Sequence, residues 1–97
     1  MKRKMAHPSL VGFSVSFSKA ALKFLQKLDK GQARKIFEKI QALKSDSESL
    51  DIKKLKSPKQ IYRLRVGDFR VIYSVLNEKV EIYVITVGHR RDVYKNL

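Results

Sequence analysis

The sequence predicts an α+β fold, β-α-α-β-β-β, in which an antiparallel sheet packs against an N-terminal helical hairpin. Three observations predict it. Apolar residues alternate with small or polar ones near the N-terminus, recur at helical spacing through two middle segments, and alternate again over three later stretches. The 97 residues suffice for one core and not for two. The chain is therefore read as a single domain over residues 10–97, preceded by a flexible basic arm, residues 1–9.

Val11, Phe13, Val15 and Phe17 give a first strand with one buried face. Ser18 suits a helix N-cap, and Ser18–Asp29 sets Ala21, Phe24, Leu25 and Leu28 against Lys19, Lys23, Gln26 and Lys27. Lys30-Gly31 breaks this pattern. A second helix from about Gln32 to Lys44 carries Ala33, Ile36, Phe37, Ile40 and Leu43 on its apolar side, and so short a join makes an antiparallel hairpin. Ser45-Asp-Ser-Glu-Ser49 is a polar loop. The alternation over Ile61–Val66, Phe69–Leu76 and Lys79–Val87, punctuated by Gly67-Asp68 and Asn77-Glu78, gives the remaining three strands as a meander.

With 22 Lys+Arg against 9 Asp+Glu, the formal net charge is +13. Such a balance in a short chain points to nucleic acid, an acidic protein or an anionic surface as partner. No apolar run approaches the roughly 20 residues that span a bilayer, and no signal-peptide core follows the basic N-terminus. The expectation is a soluble, cytoplasmic protein. Zero cysteines exclude disulfides, thiolate metal sites and a cysteine nucleophile.

The charge concentrates between positions 53 and 70, where Lys53, Lys54, Lys56, Lys59, Arg63, Arg65 and Arg70 stand against one acid, Asp68. Residues two apart in a strand share a face, so Arg63 and Arg65 point the same way. If Gly67-Asp68 is a two-residue turn, Val66 faces Phe69 and Arg65 faces Arg70. Like charges in register destabilise a sheet by an amount comparable to the roughly 0.2–1 kcal/mol of a favourable pair. A single such arginine is ordinarily a solvated side chain on an open sheet; three in register point to a polyanion site.

Nothing in the sequence has the spacing of a metal, serine-nucleophile or phosphate-loop motif, and neither a metal nor a cofactor is expected. Attack of an RNA 2′-hydroxyl on its own phosphate needs only cations at phosphorus and groups to carry the protons. Arg63, Arg65, Arg70 and Arg90 supply the cations. Arginine is a poor base, which leaves His89 and Tyr94 as candidate proton carriers. His89 reads equally as a strand-end residue, and Tyr94 as a hydrophobic plug or a platform for a splayed base. Arginines beside His89 would disfavour its charged form and keep it able to accept a proton.

Tyr62-Arg-Leu-Arg-Val-Gly-Asp-Phe-Arg-Val-Ile-Tyr73, followed by Val84-Ile-Thr-Val-Gly-His-Arg-Arg-Asp-Val-Tyr94, resembles the RelE branch of the RelE/ParE toxin superfamily. The likeness runs from about Phe13 to Tyr94 and includes the lead-in Asp51-Ile-Lys-Lys-Leu-Lys56. It implies a metal-independent endoribonuclease that cleaves mRNA in the ribosomal A site and is held inactive by an acidic, RelB-like antitoxin. The resemblance also implies operator DNA as a target of the toxin–antitoxin complex. By the same resemblance Arg70 is the transition-state arginine, Arg90 the general acid or phosphate ligand, and Tyr94 the substrate-stacking tyrosine. Arg63 and Arg65 stand where relatives have two lysines, one of them the proposed base, so this chain departs from the pattern there. Lys53, Lys54, Lys56 and Lys59 are assigned to RNA and ribosome phosphates. Two other readings are a ParE-like inhibitor that binds DNA gyrase and a nucleic-acid-binding module that does not cleave.

Overall fold

The computed structural model describes residues 7–55, 59–89 and 93. Its elements are β1 (Ser14–Phe17), α1 (Lys19–Lys27), α2 (Lys30–Ala42), β2 (Asp51–Lys54), β3 (Ile61–Val66), β4 (Phe69–Leu76) and β5 (Glu81–His89). The five strands form one sheet in the order β1-β5-β4-β3-β2. The α+β class and the helical hairpin are as the sequence predicts, with two differences in the sheet.

The first difference is β2, a fifth strand in the stretch read as a basic lead-in. It pairs antiparallel with β3 from Asp51↔Arg65 to Lys54↔Tyr62. Only Ile52 interrupts its charged residues, so apolar alternation has almost nothing to register there. The second is that β1 runs parallel to β5, while all other pairs are antiparallel. The helical hairpin carries the chain from one sheet edge to the other, and the meander returns until β5 lies beside β1.

Ser18 caps α1: its side chain accepts from the Ala21 N–H at 3.0 Å. Helix α2 begins two residues before the sequence expectation. Asp29 accepts from the Gln32 N–H at 2.9 Å, and this cap absorbs Lys30-Gly31 into the first turn. Ala21 and Leu25 of α1 and Ile36 and Ile40 of α2 pack with Leu43 against one face of the sheet, where Leu64, Val71, Tyr73, Ile82 and Val84 are fully buried. Both helices thus cover the same face; on the other, Ile72, Ser74 and Thr86 are buried too, and the arginines lie towards the β3–β4 turn.

Between Ile72 and Tyr73 the β4–β5 register shifts: Tyr73 faces Val84 but Ile72 faces Thr86, so Ile85 is an extra residue in β5. Ser18 holds this bulge. Its N–H donates to the Val84 carbonyl at 2.9 Å, and its hydroxyl donates to the Ile85 carbonyl at 2.6 Å. One side chain therefore joins the start of α1 to the irregular point of β5; losing an N-cap alone typically costs about 0.5–2 kcal/mol.

Residues 7–9 of the expected flexible arm are not free of the domain. His7 Nε2 lies 2.7 Å from the Tyr73 hydroxyl, and its ring meets Tyr62 edge-on at 4.9 Å. Tyr62 and Tyr73 are register partners and stack at 5.4 Å. Burial pushes the His7 imidazole below its ordinary value, an effect that a backbone hydrogen bond at Pro8 only partly offsets. It also drives the Tyr73 hydroxyl far above the usual tyrosine range, helped by Tyr62. A neutral His7 accepting at Nε2 from a neutral Tyr73 pairs these two atoms, while the buried His7 Nδ1 has no side-chain hydrogen-bond partner among the described residues.

Candidate functional site

The outer face of the sheet is built by alternation. Tyr62, Leu64 and Val66 of β3 enter the core, which sends Arg63 and Arg65 outward. Gly67, at φ +58°, makes the tight turn, and the register that follows is the predicted one: Val66↔Phe69 and Arg65↔Arg70. Arg70 is locked to this turn, donating through Nη1 to the carbonyls of Gly67 and Phe69, each at 3.1 Å. Three guanidinium groups therefore share one patch.

The patch has an acid that the sequence reading did not place there. Asp51 of β2 is the register partner of Arg65, and its Oδ1 accepts from Arg63 Nη2 at 2.8 Å. Its Oδ2 lies 3.8 Å from Arg65 Nη1. Recognising β2 as a strand is the step that would have found it, because pairing Ile52 with Leu64 brings Asp51 beside Arg65. Arg63 is the more enclosed cation, its side chain 17% exposed, against 52% for Arg65 and 54% for Asp51. Its Nε is buried with no hydrogen-bond partner among the described residues. A buried donor left unsatisfied costs about 1–3 kcal/mol.

The two lysines of β2 separate. Lys53 pairs with Arg63 and lies on the arginine face, whereas Lys54 pairs with Tyr62 and lies on the helix-covered face at the sheet edge. Lys59 is exposed beyond β2. Lys56, Arg90 and Tyr94 lie outside the described residues. A groove of about 750 Å³ opens between α2 and the hairpin tip, with Lys35, Glu38, Lys39, Asp51, Arg65 and Asp68 on its walls.

His89 lies on the helix-covered face, opposite to the arginine face, although it lines the same groove as Asp51 and Arg65. It pairs with Phe69, a core residue, and its ring lies 5.1 Å from Phe69 and 5.8 Å from Phe24 of α1. The Ile85 bulge is the reason: one extra residue exchanges the two faces for everything after it. Gly88, not His89, stands opposite Arg70. Among the described residues, no group of three or more His, Asp or Glu side chains could hold a metal ion.

Residues 15–94 match the model of a family described as the ParE toxin of the type II toxin–antitoxin system parDE. A chain of Methanocaldococcus jannaschii that bears the name of a RelE toxin is 38% identical over 87 residues, covering 87% of this chain and 97% of its own length. The mRNA interferase toxin RelE of Escherichia coli is 29% identical over 82 residues, covering 82% of this chain and 85% of its own. Among solved structures, the archaeal RelE–RelB complex of Pyrococcus horikoshii contains a chain of 31% identity and TM-score 0.71, covering 84% of this chain and 98% of that one.

Proposed function

This chain belongs to the RelE/ParE toxin superfamily and is of the RelE type, and from that premise we propose that it is the toxin of a type II toxin–antitoxin pair, an endoribonuclease that cuts mRNA on the ribosome. The observation that carries the reading is the placement of Arg63, Arg65 and Arg70 on one face of the sheet, in a chain whose relatives include a named mRNA interferase.

The chemistry follows from that face. As the 2′-oxygen attacks phosphorus, negative charge builds on the phosphoryl oxygens, and donors already in place stabilise it without reorganising. Arg70 is such a donor because the turn carbonyls hold its guanidinium. Arg65 opposite and Arg63 one step along offer planar forks suited to a phosphate, and Lys53 extends the positive surface. Arg90 is assigned to leaving-group protonation or phosphate binding, and Tyr94 to stacking on or orienting the substrate, on the resemblance alone. The reaction needs no metal in this scheme.

The partner is an acidic antitoxin of the RelB kind, in keeping with the RelE–RelB complexes among the structural neighbours and with the net charge of +13. Its complex with the toxin would bind operator DNA. Among the described residues no helix is long and apolar enough to cross a membrane, and the proposed ribosomal substrate would put the activity in the cytoplasm.

Primer-extension mapping in a translating extract tests the reading. New 5′ ends confined to translated messages are expected. The family model's ParE name favours gyrase inhibition as the second reading; intact messages together with a block of DNA supercoiling would replace the first with it.

A further inference from the structure

Arg63 and Arg65 cannot take the 2′-hydroxyl proton of the proposed ribonuclease reaction, His89 lies on the helix-covered face of the sheet, and Tyr94, the other candidate from the sequence, lies outside the described residues. Arginine remains protonated and cannot serve. Among the described strand residues of the arginine face two carboxylates are present, and Asp68 stands at the adjoining β3–β4 turn. Glu81 is at the far end of β5, paired with Ser14 and Leu76 and hydrogen-bonded to the Ser16 hydroxyl. Asp51 is in the cluster itself.

We propose that Asp51 is the general base of this enzyme, accepting the 2′-hydroxyl proton while Arg63 and Arg65 hold the adjacent phosphate. The inference rests on the ribonuclease reading above and deepens it. Its geometric ground is the division of labour between the two carboxylate oxygens. Oδ1 is committed to Arg63 at 2.8 Å, which fixes the orientation of the side chain. Oδ2 is 3.8 Å from Arg65, beyond hydrogen-bond distance, and keeps its accepting capacity. The side chain is 54% exposed, so a nucleotide seated on the arginines can reach it.

The charged groups around Asp51 are Arg63 and Arg65 on the neighbouring strand, Lys53 on its own strand, Asp68 at the hairpin turn, and Lys35, Glu38 and Lys39 across the groove from α2. In the step itself the 2′-O–H proton passes to Asp51 Oδ2 and the 2′-oxygen forms its bond to phosphorus. The bond from phosphorus to the 5′-oxygen breaks, and that oxygen takes a proton from water or from an acid of the chain. The products are a 2′,3′-cyclic phosphate and a 5′-hydroxyl end.

The competing role for Asp51 is that of an internal counter-ion, whose removal would free the arginines for RNA. The two roles predict opposite signs. Single-turnover cleavage of a ribosome-bound message, at saturating ribosomes, is measured for the parent chain and for Asp51→Asn, Asp51→Glu and Asp51→Ala. If Asp51 is the base, Asp51→Asn loses about a hundredfold or more in rate, within the usual range for a general base. Affinity for an uncleavable 2′-deoxy message stays the same or rises. Asp51→Glu recovers part of the rate, and added formate rescues Asp51→Ala against a chloride control of equal ionic strength. Asp51→Asn cutting as fast as the parent, or faster, overturns the assignment while the ribonuclease reading stands. A parent chain that leaves every message intact takes both down.

Discussion

Phe69 and His89 are register partners across β4 and β5, their rings 5.1 Å apart. That pairing puts the histidine on the helix side of the sheet, against Phe24, and puts the glycine before it opposite Arg70. Had β5 alternated without interruption from Ile82 and Val84, His89 would have joined the arginines. The Ile85 bulge, bonded to Ser18, reverses the faces. It also leaves Arg70 with a neighbour that has no side chain, and a Cβ added at Gly88 would meet Val93 at 3.7 Å.

His89→Gln is accordingly expected to keep the chemical step. Its single-turnover rate should stay within about threefold of the parent's, roughly 0.7 kcal/mol of barrier. A loss of a hundredfold, together with a changed acid limb in the pH–rate profile, would return His89 to the mechanism.

Lys53 and Lys54 are adjacent in sequence and on opposite faces, so their substitutions should differ. Lys53→Ala removes a charge next to Arg63. It should weaken ribosome binding and reduce the slope of log affinity against log salt by about 0.7 to 1, the contribution of one phosphate contact. Lys54→Ala, on the helix-covered side, should change the slope by less than half as much. Filter-binding titrations at several salt concentrations check this, and equal slopes for the two variants would remove Lys53 from the interface.

Arg70→Ala should lower the single-turnover rate by about a hundredfold or more while binding changes far less, as expected of a donor whose worth is realised in the transition state. Arg70→Lys should recover only part of this, because lysine keeps the charge without the planar fork. The same substitutions remove bonds to the Gly67 and Phe69 carbonyls, so stability should fall by about 0.5–1.5 kcal/mol per bond lost. Thermal melts separate that loss from the kinetic one. A rate loss that disappears at saturating ribosomes would make Arg70 a binding residue only.

The β3–β4 hairpin was legible in the sequence because its two signals agree: period-two alternation and a glycine that makes the positive-φ turn fix the register that brings Arg65 and Arg70 together. Asp51 was not legible. Its strand carries one apolar residue in four, and its meaning depends on a pairing partner ten or more positions away. The face of His89 was hidden for another reason. A bulge leaves no mark in the apolar pattern when the residue inserted, Ile85, is itself apolar. Lys30-Gly31 misled because a glycine in a first helical turn costs little once Asp29 caps it. Local periodicity thus found the elements, and the site's remaining members came from pairing between elements.

The anchoring of His7 gives a prediction about stability and pH. Burial against Tyr62 and Tyr73 holds the folded imidazole below its ordinary value, so the unfolded chain binds a proton at this site more readily than the folded one. In the window below the unfolded value of about 6.5 the unfolded state gains protons first, and stability falls as pH drops towards the lower, folded value. Above that window the contribution is complete. Denaturation midpoints measured from pH 7.5 down to 5 should therefore decline more steeply for the parent chain than for His7→Gln, which accepts from Tyr73 without titrating. Parallel curves for the two chains would mean that His7 charges in place, and that the first residues of the domain are not held by the Tyr73 hydroxyl in solution.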